Sequence, residues 1–188
     1  LSLWMVSYYV QEYHFNLTQA AFLAACFSLP GGILRALGGW LSDKYGAYKV
    51  TWAVMWVCWV AFFILSYPQT QMQIQTVDGV MQFNIGLNVV MFTAVLFVVG
   101  IAMAIGKASV FKFIADDFPE DMGTVSGIVG LAGGLGGFML PILFGLLVDF
   151  TGIRSSSFML LYGCVCISLI WMHFSFKPLQ KKELLKQN

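Results

Sequence analysis

Residues Gly123–Pro141 read GTVSGIVGLAGGLGGFMLP, an apolar run with glycine at 123, 127, 130, 133, 134, 136 and 137. Gly123, Gly127, Gly130, Gly134, Gly137 and Pro141 follow one another at steps of four and three, so they share one face of a helix. In water each interior glycine would cost about 0.5–1 kcal/mol against alanine. In lipid the balance reverses. Small residues at this spacing let a second backbone come into van der Waals contact, where no hydrophobic term drives helices together. The stretch predicts a membrane helix that packs closely on a neighbour or lines a narrow path with its main chain.

The composition agrees. Hydrophobic residues make up 59% and charged residues 10%, with a mean hydropathy of +0.80, where soluble domains have about 45–50% apolar and about 25% charged residues. The net charge of +1 is scattered over short connections and a tail, which speaks against a nucleic-acid partner. Cys26, Cys58, Cys164 and Cys166 lie inside apolar runs without metal-ligand spacing and read as buried small hydrophobes, so no metal or cofactor is expected. His14 falls in a loop and His173 near a helix end, neither beside a nucleophile, so the chain does not read as an enzyme.

A span needs about 20 mostly apolar residues. The chain predicts an all-α polytopic fold with a partial helix at Leu1–Val10 and complete ones at Ala20–Leu41, Val50–Tyr67, Leu87–Ile114, Thr124–Val148 and Ser157–Phe176, followed by a tail over 177–188. Leu1–Val10 is too short to cross, and the chain opens without Met or a leader pattern, so it reads as a segment of something longer. Lys44, Lys49, Lys112, Lys177, Lys181, Lys182 and Lys186 fall on one side, against Arg154 alone on the other. That asymmetry predicts a cytoplasmic tail. The Gln-rich stretch Pro68–Gly86 reads as a polar outer connection. Trp4, Tyr8, Tyr9, Trp40, Tyr67 and Trp171 sit near helix ends and read as interfacial anchors.

Two charges remain at membrane depth, Arg35 and Lys107, both cations. Charge in hydrocarbon is costly and normally faces a cavity or partner, and a positive cavity without carboxylates asks for an anion. Gly31 and Gly38 lie one turn before and after Arg35, predicting bare patches between which the guanidinium emerges; its planar fork suits a planar oxyanion. Snorkelling to lipid phosphate is the competing reading. For Lys107, snorkelling or pairing with Asp43 or Asp116 competes with substrate contact, and it is the sole candidate inside these spans for coupling to protons.

The loop Gly39-Trp40-Leu41-Ser42-Asp43-Lys44-Tyr45-Gly46-Ala47-Tyr48-Lys49 resembles the G-x-L-x-D-[RK]-x-G-x-[RK]-[RK] motif of the major facilitator superfamily, with Ala47 and Tyr48 where basic residues are usual. GIVGLAGGLGGFMLP, with the preceding GKASVFKFIADDFPEDMGTVSG, resembles the second nitrate-signature region of the nitrate/nitrite porter family. The resemblance implies the six-helix carboxyl-terminal half of a twelve-helix transporter, starting inside the seventh helix. It implies Arg35 as one of two arginines gripping nitrate or nitrite, with Gly127, Gly130, Gly134 and Gly137 on the substrate-side face. Gly39, Asp43 and Lys44 would sit at the cytoplasmic interface with an amino-terminal half. That half, its arginine and aromatic contacts from the seventh helix would precede Leu1. The implied setting is membrane lipid, a bacterial or archaeal inner membrane by family habit. Nitrate/nitrite exchange and nitrate/proton symport both stay open, as do a porter for another small anion and a non-transporting anion sensor.

Overall fold

Within hydrocarbon no water satisfies a backbone N–H or C=O, so apolar spans must close their hydrogen bonds internally, as helices. The protein, seen in a computed structural model that describes residues 2–28, 30–76 and 79–187, consists of α1 (Ser2–Glu12), α2 (Leu17–Ser28), α3 (Pro30–Tyr45), α4 (Ala47–Leu65), β1 (Thr70–Thr76), β2 (Gly79–Ile85), α5 (Val89–Asp117), α6 (Met122–Thr151) and α7 (Ser156–Gln187). Leu1, Asn188 and the side chains of 177–188, with the tail lysines, lie outside the described residues. Leu17–Tyr45, Ala47–Leu65, Val89–Asp117, Met122–Thr151 and Ser156–Phe176 are long and apolar enough to cross a membrane.

The helix expected at 20–41 comprises α2 and α3, on either side of Leu29, which is outside the described residues. Pro30 opens α3, where its fixed φ and missing N–H cost nothing. Gly46, at φ +87°, turns the chain into α4, a conformation that a side chain would strain. The stretch expected to be a plain polar connection is instead an antiparallel hairpin of β1 and β2. It pairs Met72 with Phe83 and Ile74 with Met81, while Gln73 pairs with Gln82. Alternation of polar and apolar residues at period two gives it opposed faces.

Helix α5 is central, packed along both α3 and α4. At the hairpin end its Phe92 is stacked on Tyr8, with ring centroids 4.7 Å apart, and meets Tyr9 edge-on at 5.6 Å and Phe158 at 5.8 Å. Tyr8 and Tyr9 are therefore core residues, buried to 5% and 0% exposure, and not the interfacial anchors their position suggested. Trp40, Tyr67 and Trp171 are exposed. The Tyr9 hydroxyl lies 2.7 Å from that of Thr93, which itself donates to Val89 O, leaving Tyr9 as the donor. Tyr13 donates to Leu87 O at 3.0 Å; burial pushes its phenol up to about 12, so the donor persists at any physiological pH. Arg154 closes this end, donating to Gln11 O and Glu12 Oε2, both at 2.9 Å.

Below this cluster, glycines admit close contact, though not those of α6. A methyl at Gly38 would lie 2.8 Å from Ile105 Cα, one at Gly100 2.8 Å from the Phe27 ring, and one at Gly106 2.8 Å from Val54 Cγ1. Thr51 and Ser109 hydroxyls, 2.8 Å apart, tie α4 to α5. The four cysteines are not uniformly buried: Cys58 is, Cys26 and Cys166 are half-buried, and Cys164 is exposed.

Gly38→Ala should force α3 off the α5 backbone and destabilise the fold by about 1–3 kcal/mol, the usual cost of overpacking. Gly39→Ala, where a methyl meets nothing within 4 Å, should leave stability unchanged. Thermal unfolding of the detergent-solubilised complete protein checks this; equal stability of both variants would contradict the packing described.

Candidate functional site

Helix α6 is the least embedded of the set. Among its described residues only Phe144 is buried, tilted against Trp4 with ring centroids 5.5 Å apart. A methyl built at Gly123, Gly127, Gly130, Gly133, Gly134, Gly136 or Gly137 meets nothing within 4 Å. The expected close contact with a second backbone is therefore not made by any described residue of this chain. The glycine face stands open, and bare main chain is what it presents.

Part of that face closes one side of a cleft of about 580 Å³ between α5 and α6. Helix α5 contributes Gly106, Lys107, Val110 and Phe111; α6 contributes Val129, Gly130, Gly133 and Gly134. Lys107 is the one charged residue in this lining. Of the residues singled out from the sequence, Lys107, Gly130 and Gly134 meet here, whereas Arg35, Gly127 and Gly137 do not line the cleft. Gly133 and Gly106 join it, although the spacing argument had not selected them as site residues. One turn before Gly130, the Ser126 hydroxyl is buried with no hydrogen-bond partner among the described residues, a polar group that the glycine pattern had overshadowed.

Arg35 is exposed on α3, and no described carboxylate pairs with it. The pair of bare patches expected around it is only half present. Gly31 is open, but Gly38 is filled by Ile105 and Ala108 of α5, so the guanidinium has free space on one side and a helix on the other. Ser42 donates back to Gly38 O at 2.7 Å, satisfying its buried hydroxyl within α3.

The carboxylates expected as partners of Lys107 belong to Lys112. Its ammonium lies 3.1 Å from Asp43 Oδ1 and 2.9 Å from Asp116 Oδ1. The reason is angular: five residues along a helix rotate a side chain by about 140°, so Lys107 turns toward α6 while Lys112 turns toward the end of α3. Asp116 is one turn beyond Lys112 and completes the clamp. The Asp43 side chain remains 63% exposed while paired. Lys44 sits over its neighbours' rings, 5.2 Å from the Trp40 centroid and 5.4 Å from that of Tyr45. Gly39 is open.

Residues 1–188 match the description of the Major Facilitator Superfamily. A Thermus thermophilus protein named as a probable nitrate/nitrite antiporter, NarK1, is 39% identical over 186 residues, covering 97% of this chain and 42% of that protein. A Staphylococcus aureus (strain JH9) protein named as a probable nitrate transporter, NarT, is 26% identical over 181 residues, covering 96% of this chain and 41% of its own length. The chain thus spans about two fifths of the length of the curated relatives it matches. It is an integral membrane protein of the Major Facilitator Superfamily, similar to proteins named as nitrate/nitrite and nitrate transporters.

Proposed function

We propose that this chain is the carboxyl-terminal half of a secondary transporter that moves nitrate, nitrite or both by alternating access. One observation carries the reading: in the cleft between α5 and α6 the glycines 130, 133 and 134 expose main chain beside Val110, Phe111 and Val129, and the one charged residue of the lining is the cation Lys107. Arg35, exposed and without a carboxylate partner among the described residues, adds a second cation on α3. The names of the relatives agree with an anion of this size and shape.

In this mechanism Arg35 offers parallel N–H donors to two oxygens of a planar oxyanion, a geometry lysine does not reproduce. Lys107 holds the potential positive along the path and is also the candidate for proton coupling. The open face of Gly127, Gly130, Gly134 and Gly137 receives the amino-terminal half, which brings the second arginine. Rocking of the two halves about a midplane site gives alternating access. Asp43, held on one side by Lys112, presents its exposed side to that half, with Gly39 and Lys44 beside it. The lysine-bearing end lies in the cytoplasm of a bacterial or archaeal cell.

Arg35→Lys should raise half-saturating nitrate by about ten- to a hundredfold, since a hydrogen bond to a charged group is worth roughly 1.5–3 kcal/mol, while the protein still inserts. Normal transport by this variant would remove the guanidinium from recognition. Formate, another planar anion, should compete weakly with nitrate; equal competition would move the reading to a general small-anion porter.

Gly130→Ala separates the two roles of the glycine face. No described residue lies within 4 Å of the added methyl, so folding should persist. Transport should fall about tenfold or more if overpacking the other half costs about 1–3 kcal/mol. Unchanged nitrate flux would mean that this face touches neither substrate nor the other half.

A further inference from the structure

A second cleft lies on the far side of α5. It is about 520 Å³ and is walled by Val50, Ala53, Val54 and Val57 of α4 with Val98, Ile101, Ala102 and Ile105 of α5, capped by Leu41 and Tyr45 of α3 and by Lys49. Val57 and Val98 also line a neighbouring apolar hollow of about 410 Å³ that reaches Ile64. The two hollows therefore join into one trough from Lys49 to Ile64. At 1.5 Å per helical residue the trough is about 22 Å long, more than the roughly 15 Å of one leaflet's hydrocarbon. On α5, Lys107 is nine residues beyond Val98, about 180° round the helix, so the trough faces away from the glycine-lined cleft.

We propose that this trough holds one acyl chain of an anionic phospholipid, with its phosphate at Lys49. Lys49 is the one charged residue in the lining, stands at one end of it, and has no carboxylate partner among the described residues. The nearest carboxylate in the motif loop, Asp43, is already held by Lys112. Lys44, stacked over Tyr45, adds positive charge at the same end. The mouth is therefore cationic and the body apolar, the charge and shape of a phospholipid with a net negative headgroup. A lipid tail gains little from leaving other tails, because both surroundings are equally apolar. Selectivity must therefore come from the headgroup, and the proposal stands apart from the identity of the transported anion.

The test is native mass spectrometry of the complete detergent-purified transporter, titrated with phosphatidylglycerol and with phosphatidylcholine of the same acyl chains. The first phosphatidylglycerol should be retained about fivefold better, the worth of one lysine near an anionic lipid surface. Lys49→Gln, an exposed change that leaves packing alone, should bring that ratio close to one. Ala53→Trp, filling the trough, should lower retention of both lipids, and Lys181→Gln with Lys182→Gln in the tail should leave the preference intact. The proposal is overturned if the wild-type protein shows no preference, if the preference survives Lys49→Gln, or if the tail variant alone abolishes it. Should Ala53→Trp fail to fold, the Lys49→Gln ratio decides the question.

Discussion

Contact between the backbones of α3 and α5 at Gly38 is the constraint on which the rest depends. With Ile105 Cα only 2.8 Å from where a methyl on Gly38 would sit, α3 and α5 meet backbone to backbone. Gly106, the next residue of α5, admits the Val54 side chain of α4, 2.8 Å from where a methyl would sit. These contacts hold three helices as one body and fix how far Arg35 projects from α3 and which way Lys107 turns from α5. Membrane helices gain no hydrophobic energy from meeting one another, so contact of this closeness, with hydroxyl pairs such as Thr51 and Ser109, is what holds them.

The two glycine sets divide the work. Gly38, Gly100 and Gly106 are consumed inside the helical set, whereas the glycines of α6 remain uncovered. This row costs helix propensity and closes no contact with any described residue. The cleft beside Lys107 gives part of that face a charge, while Arg35 stands apart from it on α3. At the lysine-bearing end, Lys112 bridges Asp43 and Asp116, its single charge offsetting one of the two carboxylates.

Much of this was legible in the residues. Length and hydropathy placed the apolar helices, because in hydrocarbon a long apolar segment has hardly another choice of structure. The glycine spacing showed which face of α6 is bare, but not what covers it, since spacing carries no information about a partner. Tyr8 and Tyr9 misled because a helix end can be buried by neighbouring helices, here the starts of α5 and α7. Pairing with Asp43 or Asp116 is one of the readings the sequence leaves open for Lys107; the five-residue rotation gives both carboxylates to Lys112 instead. The hairpin was hidden by glutamines, which read as loop although Met72, Ile74, Met81 and Phe83 pair across the strands on one face.

The central claim is that this positive, main-chain-lined wall belongs to a path for a small planar anion. Nitrate uptake into proteoliposomes holding the complete transporter tests it most directly, with vesicles preloaded with nitrite compared with empty vesicles under an inward proton gradient. Saturable uptake in one of the two is the predicted result: internal nitrite as the requirement would establish exchange, and the proton gradient alone would establish symport and make Lys107 the first residue to replace. No nitrate uptake in either, from protein that is folded and inserted, would contradict the account.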